Sequence, residues 1–289
     1  MMKARLDGGG ELKFGSKTDT PERPLITIIT STFNAASDLQ WTLQSVRAQT
    51  YPNIQWIVAD GGSTDGTVEL LKENEDIIDY WFSEPDRGIY DAWNKALKFV
   101  KGSWVQFIGA GDEIYDNNTI EVISKFLSSA FPQYEMVYGK IKLLTSERKF
   151  LKNVGSRWSD LNNKWQGIRP ALPVHPEVYH HVSIFNKYNC FDINLTVSAD
   201  TELLYKSMSR LEPLFVDVFI DKMPLGGVSD NPKYSLLAIK ELSIINKRNN
   251  ISPPFFNYLK AHIFARLKIL LYFVFPKKIY LYFLKKYKE

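Results

Sequence analysis

The sequence has very little cysteine and lacks a long apolar run. Its single cysteine, Cys190, excludes an internal disulfide framework and a cysteine-rich zinc site, and it fits a reducing compartment. The first twenty residues contain no apolar core of the kind that a secretory signal peptide needs. We therefore expect a flexible leader over residues 1–23 and a cytoplasmic location.

Two common nucleotide-binding motifs are absent as well. A G-x-G-x-x-G motif starting at Gly61 would need glycine at position 63, where the chain has Ser63, and no G-x-x-x-x-G-K-[ST] loop occurs. These absences disfavour a nicotinamide-dependent enzyme and an ATPase.

The length and composition of the chain suit a large buried core. With 289 residues, 45% of them hydrophobic and 14% aromatic, it can form one large domain with an appendage. Positive charge is concentrated in residues 251–289, which contain eight Lys or Arg and one acid, Glu289. The remaining residues are slightly acidic, which argues against nucleic-acid binding and for a tail that meets an anionic surface.

Short β-branched runs alternate with helical periodicity over the first half of the chain. Strands are predicted at residues 25–32, 54–60, 79–82 and 104–108, and apolar residues at helical spacing lie between them. This alternation predicts an α/β fold with a mostly parallel, Rossmann-like sheet flanked by helices.

Each predicted strand runs into a polar segment. Ligands of parallel sheets bind beyond the carboxyl ends of the strands, so these segments predict one binding edge. The alternative is that they are ordinary turns, in which Gly, Asp, Asn and Ser are common. The polar residues concerned are Asn34, Asp60, Asp65, Asp86, Arg87 and Asp112.

Five segments in combination resemble the family 2 glycosyltransferases of the GT-A fold, especially the bacterial polysaccharide branch that includes O-antigen and colanic-acid enzymes. They are TFN at 32–34, DGGSTDGT at 60–67, EPDRGIYDAWNK at 84–95, GD at 111–112 and ADTELL at 199–204. The resemblance spans residues 24–230. It implies inverting transfer of a sugar from a nucleotide-diphosphate donor, predicted to be UDP-linked, to a hydroxyl of a glycan or lipid-linked acceptor.

The resemblance also assigns roles to individual residues. It implies that Mg²⁺ or Mn²⁺ binds Asp112 and offsets the negative charge of the leaving diphosphate. Asp200 would be the catalytic base, with Glu202 as the fallback, and His175 would lie on the acceptor side. The implied donor nucleotide-binding residues are Thr32, Asn34, Asp60, Asp86, Arg87, Asp91, Asn94 and Gly111.

The chain departs from the family pattern at two positions. Ala110 stands where many members have the first acid of a D-x-D motif, which leaves the metal with fewer protein charges. Trp93 stands where an A-R-N segment elsewhere supplies an arginine to the base, which leaves the identity of the base open.

We expect a catalytic domain over residues 24–232, with a donor half at 24–140 and an acceptor half at 141–232. Trp158 and Trp165 lie in a long polar loop, where they would either stack on acceptor sugars or pack the loop onto the body. His175 and Asp200 also have purely structural alternatives, the latter as the N-cap of the helix that follows.

Residues 233–289 are predicted to form a helical, basic and aromatic tail. Its longest uncharged stretch, residues 269–276, is too short to span a bilayer. An amphipathic helix held at an anionic membrane surface is the favoured interpretation, which places the protein on the inner face of the cytoplasmic membrane. The alternative is packing on the protein's own core or on a second subunit in a homo-oligomer.

Two other functions fit parts of the sequence. A catalytically inactive subunit of an assembly complex would explain Ala110. A sugar-nucleotide nucleotidylyltransferase would share the sheet, but it would need a glycine-rich, arginine-containing loop after the first strand, where the chain has residues 30–34, TSTFN.

Overall fold

The computed structural model describes residues 5–11, 17–227 and 231–275. Its main feature is a ten-stranded mixed sheet, and a short two-stranded sheet lies beside it. The strands are β1 Leu6–Gly8, β2 Ile26–Thr32, β3 Ile54–Asp60, β4 Tyr80–Ser83, β5 Trp104–Gly109, β6 Glu113–Ile114, β7 Met136–Leu144, β8 Phe150–Val154, β9 Trp165–Gln166, β10 Arg169–Pro170, β11 Val178–His181 and β12 Leu214–Pro224.

Helices cover both faces of the large sheet. Those on one face pack through residues such as Leu39, Leu71 and Ile123, and those on the other through residues such as Trp93 and Leu203. They are α1 Ala36–Arg47, α2 Thr67–Glu73, α3 Ile89–Leu97, α4 Thr119–Ala130, α5 Trp158–Leu161, α6 Ser183–Lys187, α7 Ala199–Met208, α8 Ser235–Arg248 and α9 Phe255–Val274.

The strand order in the large sheet is β1-β4-β3-β2-β5-β11-β7-β12-β6, with β8 beside β7. Among the described strands, six run in one direction, and β1, β6, β8 and β11 run against them. Strands β2 and β3 are buried along almost their whole length, which explains their β-branched and aromatic composition. The sheet is thus mostly parallel, as predicted.

The first four predicted strands are confirmed to within one residue at each end. β3 has the predicted bounds, and β2, β4 and β5 differ from the prediction by a single residue at one or both ends. The second half could not be read in this way because β11 inserts antiparallel between β5 and β7, far from its neighbours in sequence. The predicted boundary between donor and acceptor halves falls within β7, so one sheet continues across both.

The predicted flexible leader contains an edge strand. β1 pairs antiparallel with β4, and the guanidinium of Arg5 lies 4.2 Å from the centre of the Phe82 ring. Lys17 forms an ion pair of 2.7 Å with the buried Asp79. The leader prediction is therefore wrong for these residues, whereas residues 1–4 and 12–16 lie outside the described part of the chain.

The tail prediction concerns α8 and α9 together with residues 276–289, which lie outside the described part. α9 packs on α8 and has one buried residue, Ala265. Within the described ranges, no helix is both long and apolar enough to span a bilayer.

The two helices of the tail also contact the β9–β10 hairpin. Asn246 and Asn257 donate side-chain hydrogen bonds to the carbonyl oxygens of Ile168 and Gly167, at 2.7 and 3.2 Å. Ile168 packs with Ile239 of α8 and Ala265 of α9. The tail is therefore continuous with the body of the protein through this hairpin.

Candidate active site

The carboxyl ends of four parallel strands form one edge of the sheet. Thr32, Asp60 and Ser83 lie side by side at the ends of β2, β3 and β4, and Gly109 of β5 lies beside Ser31. The sheet therefore brings the predicted polar segments together, as the sequence indicated. The Thr32 hydroxyl is buried and has no hydrogen-bond partner.

Asp60 organises the loop that follows β3. Its carboxylate is buried and accepts hydrogen bonds from the backbone N–H groups of Gly62 and Ser63, at 3.1 and 2.9 Å, and from the Ser83 hydroxyl at 2.6 Å. A carboxylate that receives several donors is fixed in one orientation. Asp60 therefore shapes the loop, whatever it contacts in a ligand.

Asn34 joins the β2 and β3 loops. Its backbone has a positive φ of 48°, a conformation that asparagine tolerates better than most residues. Its side-chain oxygen accepts from Thr64 N–H at 2.9 Å, and its own N–H donates to the Ser63 hydroxyl at 2.7 Å. The two loops therefore form one rigid wall of the edge.

The third loop approaches this wall through Asp86. A Cβ atom at Gly61 would lie 2.7 Å from Asp86 Oδ2, so a larger residue there would displace the Asp86 carboxylate. Burial raises the pKa of Asp86. Arg87 is exposed and pairs with Asp91 at 3.5 Å, and Asp91 also pairs with Lys95 at 3.2 Å. Asp91 thus supports the loop that presents Arg87.

Asp112 lies in a tight turn that directly follows β5. Its Oδ2 accepts from Gly109 N–H at 2.8 Å, and Gly111, with φ of +102°, donates its N–H to the Thr42 hydroxyl at 2.9 Å. Burial raises the pKa of Asp112 to about 7, and the positive charge of Arg148 opposes this rise.

Arg148 is a residue of this edge that the sequence did not indicate. Its guanidinium pairs with Glu113, donates to the Gly111 carbonyl at 3.0 Å and lies 4.3 Å from the centre of the Trp41 ring. It comes from the turn between β7 and β8, so no local spacing in the sequence links it to Asp112.

A second buried carboxylate, Asp221 of β12, lies within reach of the charge of Asp112. One of its oxygens accepts from Lys222 N–H at 2.8 Å, and the other has no hydrogen-bond partner. Burial and the neighbouring charge of Asp112 raise the pKa of Asp221 well above the ordinary aspartate value.

The described residues contain no group of three or more His, Cys, Asp or Glu arranged to hold a metal ion. A metal ion bound at this edge would therefore have few ligands from the protein. Mg²⁺ usually keeps several waters and uses one or two carboxylates together with substrate phosphates, and Asp112 fits such a site.

Asp200 lies in the first turn of α7, and the N-cap residue is Ser198, so Asp200 does not cap the helix. Its Oδ1 accepts a hydrogen bond of 2.9 Å from the hydroxyl of Tyr90, in the first turn of α3. Burial raises the pKa of Asp200, while the nearby charge of Arg169 lowers it. Through Tyr90, Asp200 lies next to the loop that carries Asp86 and Arg87.

Two of the predicted residues lie in a different place. The Asn94 amide exchanges hydrogen bonds of 2.7 and 3.0 Å with the backbone of Phe191. Buried Glu202 pairs with Arg248 and Lys206, each at 3.3 Å. Both residues line a separate cavity of about 710 Å³. The structure thus gives Asn94 and Glu202 structural partners, and their roles in donor binding and catalysis stay predictions.

The predicted acceptor-side position of His175 is also corrected. Its ring is buried and stacks on Trp93 with a centroid distance of 5.0 Å, and neither ring nitrogen has a hydrogen-bond partner. Burial lowers its pKa to about 3, so the imidazole is neutral at physiological pH. Its packing makes it a core residue.

Trp158 and Trp165 are brought together. They line one cavity of about 480 Å³ beside α7, and Tyr205 of that helix forms part of its wall. Trp158 packs partly against the core, whereas Trp165 is 37% exposed.

The sequence profile of "Glycosyl transferase family 2" matches residues 27–175, and the chain belongs to this family. The profile covers β2 to β5 and Asp112, the part of the chain that forms the strand edge. The fold is GT-A, and the protein is a glycosyltransferase.

Two similar sequences come from mycobacteria. An uncharacterized glycosyltransferase of Mycobacterium tuberculosis is 29% identical over 210 residues, which cover 72% of this chain and 78% of the relative. A PGL/p-HBAD biosynthesis glycosyltransferase of Mycobacterium bovis is 25% identical over 192 residues, 65% of this chain and 71% of the relative.

Two solved structures share the fold. The mannosyltransferase of Pyrobaculum calidifontis, in complex with GDP-Man and Mn²⁺, aligns with a TM-score of 0.60 and 17% identity over 87% of this chain and 72% of that chain. S. aureus TarS 1–349 in complex with UDP aligns with a TM-score of 0.57 and 15% identity over 76% of this chain and 64% of that chain.

Proposed function

We propose that the protein is an inverting glycosyltransferase that moves a sugar from a UDP-linked donor to a hydroxyl of a glycan or lipid-linked acceptor in the synthesis of a bacterial surface polysaccharide. The observation that carries this proposal is a pair of aspartates, the buried Asp112 and the partly buried Asp200, which two different segments hold next to the loops of one strand edge.

The donor nucleotide fits the wall built by Asn34, Asp60 and the glycine loop. Asp86 and the exposed Arg87 lie beside this wall, where a guanidinium can donate two parallel hydrogen bonds to phosphate oxygens. The S. aureus relative in fold binds UDP and the Pyrobaculum one binds GDP-Man, which supports a nucleotide sugar as the class of donor.

Asp112 is the proposed ligand of Mg²⁺ or Mn²⁺, which when bound would offset the charge of the leaving diphosphate. The turn around Gly111 fixes the orientation of Asp112, and Thr42 holds that turn through hydrogen bonds to Gly111 N–H and to the Asp112 carbonyl oxygen, at 2.9 and 2.8 Å. The charge of Arg148 favours the ionised form of Asp112.

Asp200 is the proposed base. In a single displacement it would take the proton of the acceptor hydroxyl as that oxygen attacks the anomeric carbon, which inverts the configuration there. The Tyr90 hydroxyl donates to Asp200 and fixes the carboxylate, so Tyr90 is a positioning residue.

We also propose that α9 binds an anionic membrane surface from the cytoplasmic side. Its apolar residues form an exposed stripe, and the described helix contains Lys260, Arg266 and Lys268 but no acid. Basic residues near an anionic surface contribute about 1 kcal/mol each. The exposed residues of the stripe are Phe255, Phe256, Leu259, Ile263, Leu267, Leu270, Phe273 and Val274.

Nucleotide binding by the full chain tests the donor and metal proposals. We expect UDP to bind more tightly than GDP in calorimetry, and MnCl₂ to strengthen the binding. Asp112→Asn keeps an oxygen for Gly109 N–H but removes the charge, so it should lose the metal effect.

The matched control is Asp116→Asn, which changes an exposed acid of the same turn region. UDP binding that does not respond to MnCl₂, or an equal loss in both variants, would contradict the metal site. For active protein, the anomeric configuration of the product by NMR tests inversion.

A further inference from the structure

The groove that contains Trp158 and Trp165 has the surface chemistry of a carbohydrate site. Its volume is about 480 Å³, and its walls contain aromatic rings together with amide and guanidinium groups. The residues that carry this character are Trp158, Asn162, Asn163, Trp165, Tyr205 and Arg210.

Each component matches a part of a sugar ring. The apolar C–H face of a pyranose packs against an aromatic ring, and Trp and Tyr also supply a polar group at the rim. Amides donate and accept hydrogen bonds and a guanidinium group donates them, and sugar hydroxyls can pair with both. Small-molecule sites of this size combine apolar walls with a few polar groups.

Two elements connect the groove to Asp200. Helix α7 carries Asp200 in its first turn and Tyr205 five residues later, about 7.5 Å along the helix axis. The β9–β10 hairpin carries Trp165 and Pro170 on the groove and Arg169, whose charge acts on Asp200. The groove and the proposed base thus lie on the same two elements, and Tyr205 on the groove wall is offset from Asp200 along the helix.

We infer that this groove is an acceptor subsite, which binds an internal sugar of the acceptor while the terminal sugar presents its hydroxyl to Asp200. The acceptor is then an oligosaccharide chain of at least two units, free or lipid-linked, and not a single sugar. This inference rests on the proposed function, since it places the groove relative to the site of transfer.

Fluorine NMR of the full chain labelled with 5-fluorotryptophan tests the groove directly. The chain has seven tryptophans, and Trp→Phe variants assign the signals of Trp158 and Trp165. The probes are chitotriose, cellotriose, maltotriose and α-mannotriose, each compared with its monosaccharide. At least one trisaccharide should shift both groove signals and leave those of Trp56, Trp81 and Trp104 in place, and its monosaccharide should bind more weakly.

Variants then locate the binding. Trp165→Ala should weaken trisaccharide binding by about tenfold or more, and Trp165→Phe should restore most of it because the ring is kept. Phe126→Ala is the matched control, because Phe126 is 39% exposed on α4 and Trp165 is 37% exposed. If none of the four trisaccharides shifts the groove signals, or if Trp165→Ala binds as the control does, the inference is wrong.

The same samples separate this inference from the proposed function. UDP binding should persist in Trp165→Ala, since the proposed nucleotide site is formed by the loops that follow β2 and β3. Wild-type protein that binds a trisaccharide but neither UDP nor GDP would refute the proposed function and retain a carbohydrate site, whereas nucleotide binding without trisaccharide binding would refute the subsite alone.

Discussion

Asp200 differs from an ordinary surface aspartate in its partial burial and in its hydrogen bond from Tyr90. Burial raises its pKa, so the carboxylate that a base requires forms at a higher pH than for an exposed aspartate. The acid limb of kcat/KM should therefore lie above the ordinary aspartate range, with activity lost as the pH falls through it.

Asp200→Asn should lower kcat by about 10²–10⁴-fold and leave UDP affinity unchanged, because the amide cannot take the acceptor proton. Steady-state kinetics and calorimetry measure the two effects. Glu202→Gln, in the same helix turn, is the control and should keep its activity, because Glu202 serves Arg248 and Lys206. If Glu202→Gln is the inactive variant, the assignment of the base is wrong.

Whether a residue of the site could be predicted depends on whether local sequence or distant segments place it there. Asp60, Asp86 and Asp112 could be predicted because strand ends of a parallel sheet share one edge. Arg148 and Asp221 could not be predicted, since turns and strands remote in sequence bring them there. For His175 the motif was misleading, because only the folded core shows that its ring stacks on Trp93.

At the scale of the element, α9 is unusual in having so little of its apolar surface covered. Leu259, Ile263 and Leu267 are 47%, 54% and 45% exposed and lie on one stripe. A helix of this kind gains free energy when its apolar face enters the boundary between lipid headgroups and chains.

Changing all three residues to serine should lower binding to phosphatidylglycerol-containing vesicles by about tenfold or more, with little loss of stability because they contact so little. Sedimentation with the vesicles measures binding, and circular dichroism measures stability. Phe126→Ser on α4 is the control. Unchanged sedimentation of the triple variant would remove α9 from membrane binding.

The strands and helices of the first half were predictable because each has a clear period of its own. The helix after Asp200 and the helical tail were predictable too, but the strands after Met136 were not, since β11 owes its place to β5 and β7. In the leader, β1 is only three residues long and depends on β4 for its pairing, so no periodicity signals it.

At the scale of the whole molecule, the sheet and its helices enclose a carboxyl group that has few hydrogen bonds to offset its burial. Glu177 is buried, its Oε1 accepts from Val174 N–H at 2.8 Å, and its Oε2 has no hydrogen-bond partner. Burial raises the pKa of Glu177 from 4.5 to about 8. Because the unfolded chain ionises at the lower pH, this group lowers the free energy of unfolding as the pH rises from 4.5 to about 8.

Glu177→Gln should remove that contribution. The difference between the Tm values at pH 5.5 and pH 8 should shrink by more than about 2 °C, as calorimetry can measure. Glu73→Gln, a change at an exposed glutamate, should leave the difference as it is in the wild type. An equal pH dependence in wild type and Glu177→Gln would show that Glu177 does not contribute.

The hydrogen bond from Asn257 of α9 connects the β9–β10 hairpin, and with it the wall of the Trp165 groove, to the helix with the exposed apolar stripe, and Asn246 of α8 holds the same turn. If that stripe rests on lipid, the height of the groove above the bilayer is set by the protein and does not vary from one encounter to the next. Such an enzyme would select lipid-linked acceptors whose terminal sugar lies at that distance from the bilayer. It would add one sugar and release the lengthened product, because the new terminal sugar lies farther from the bilayer than the active site.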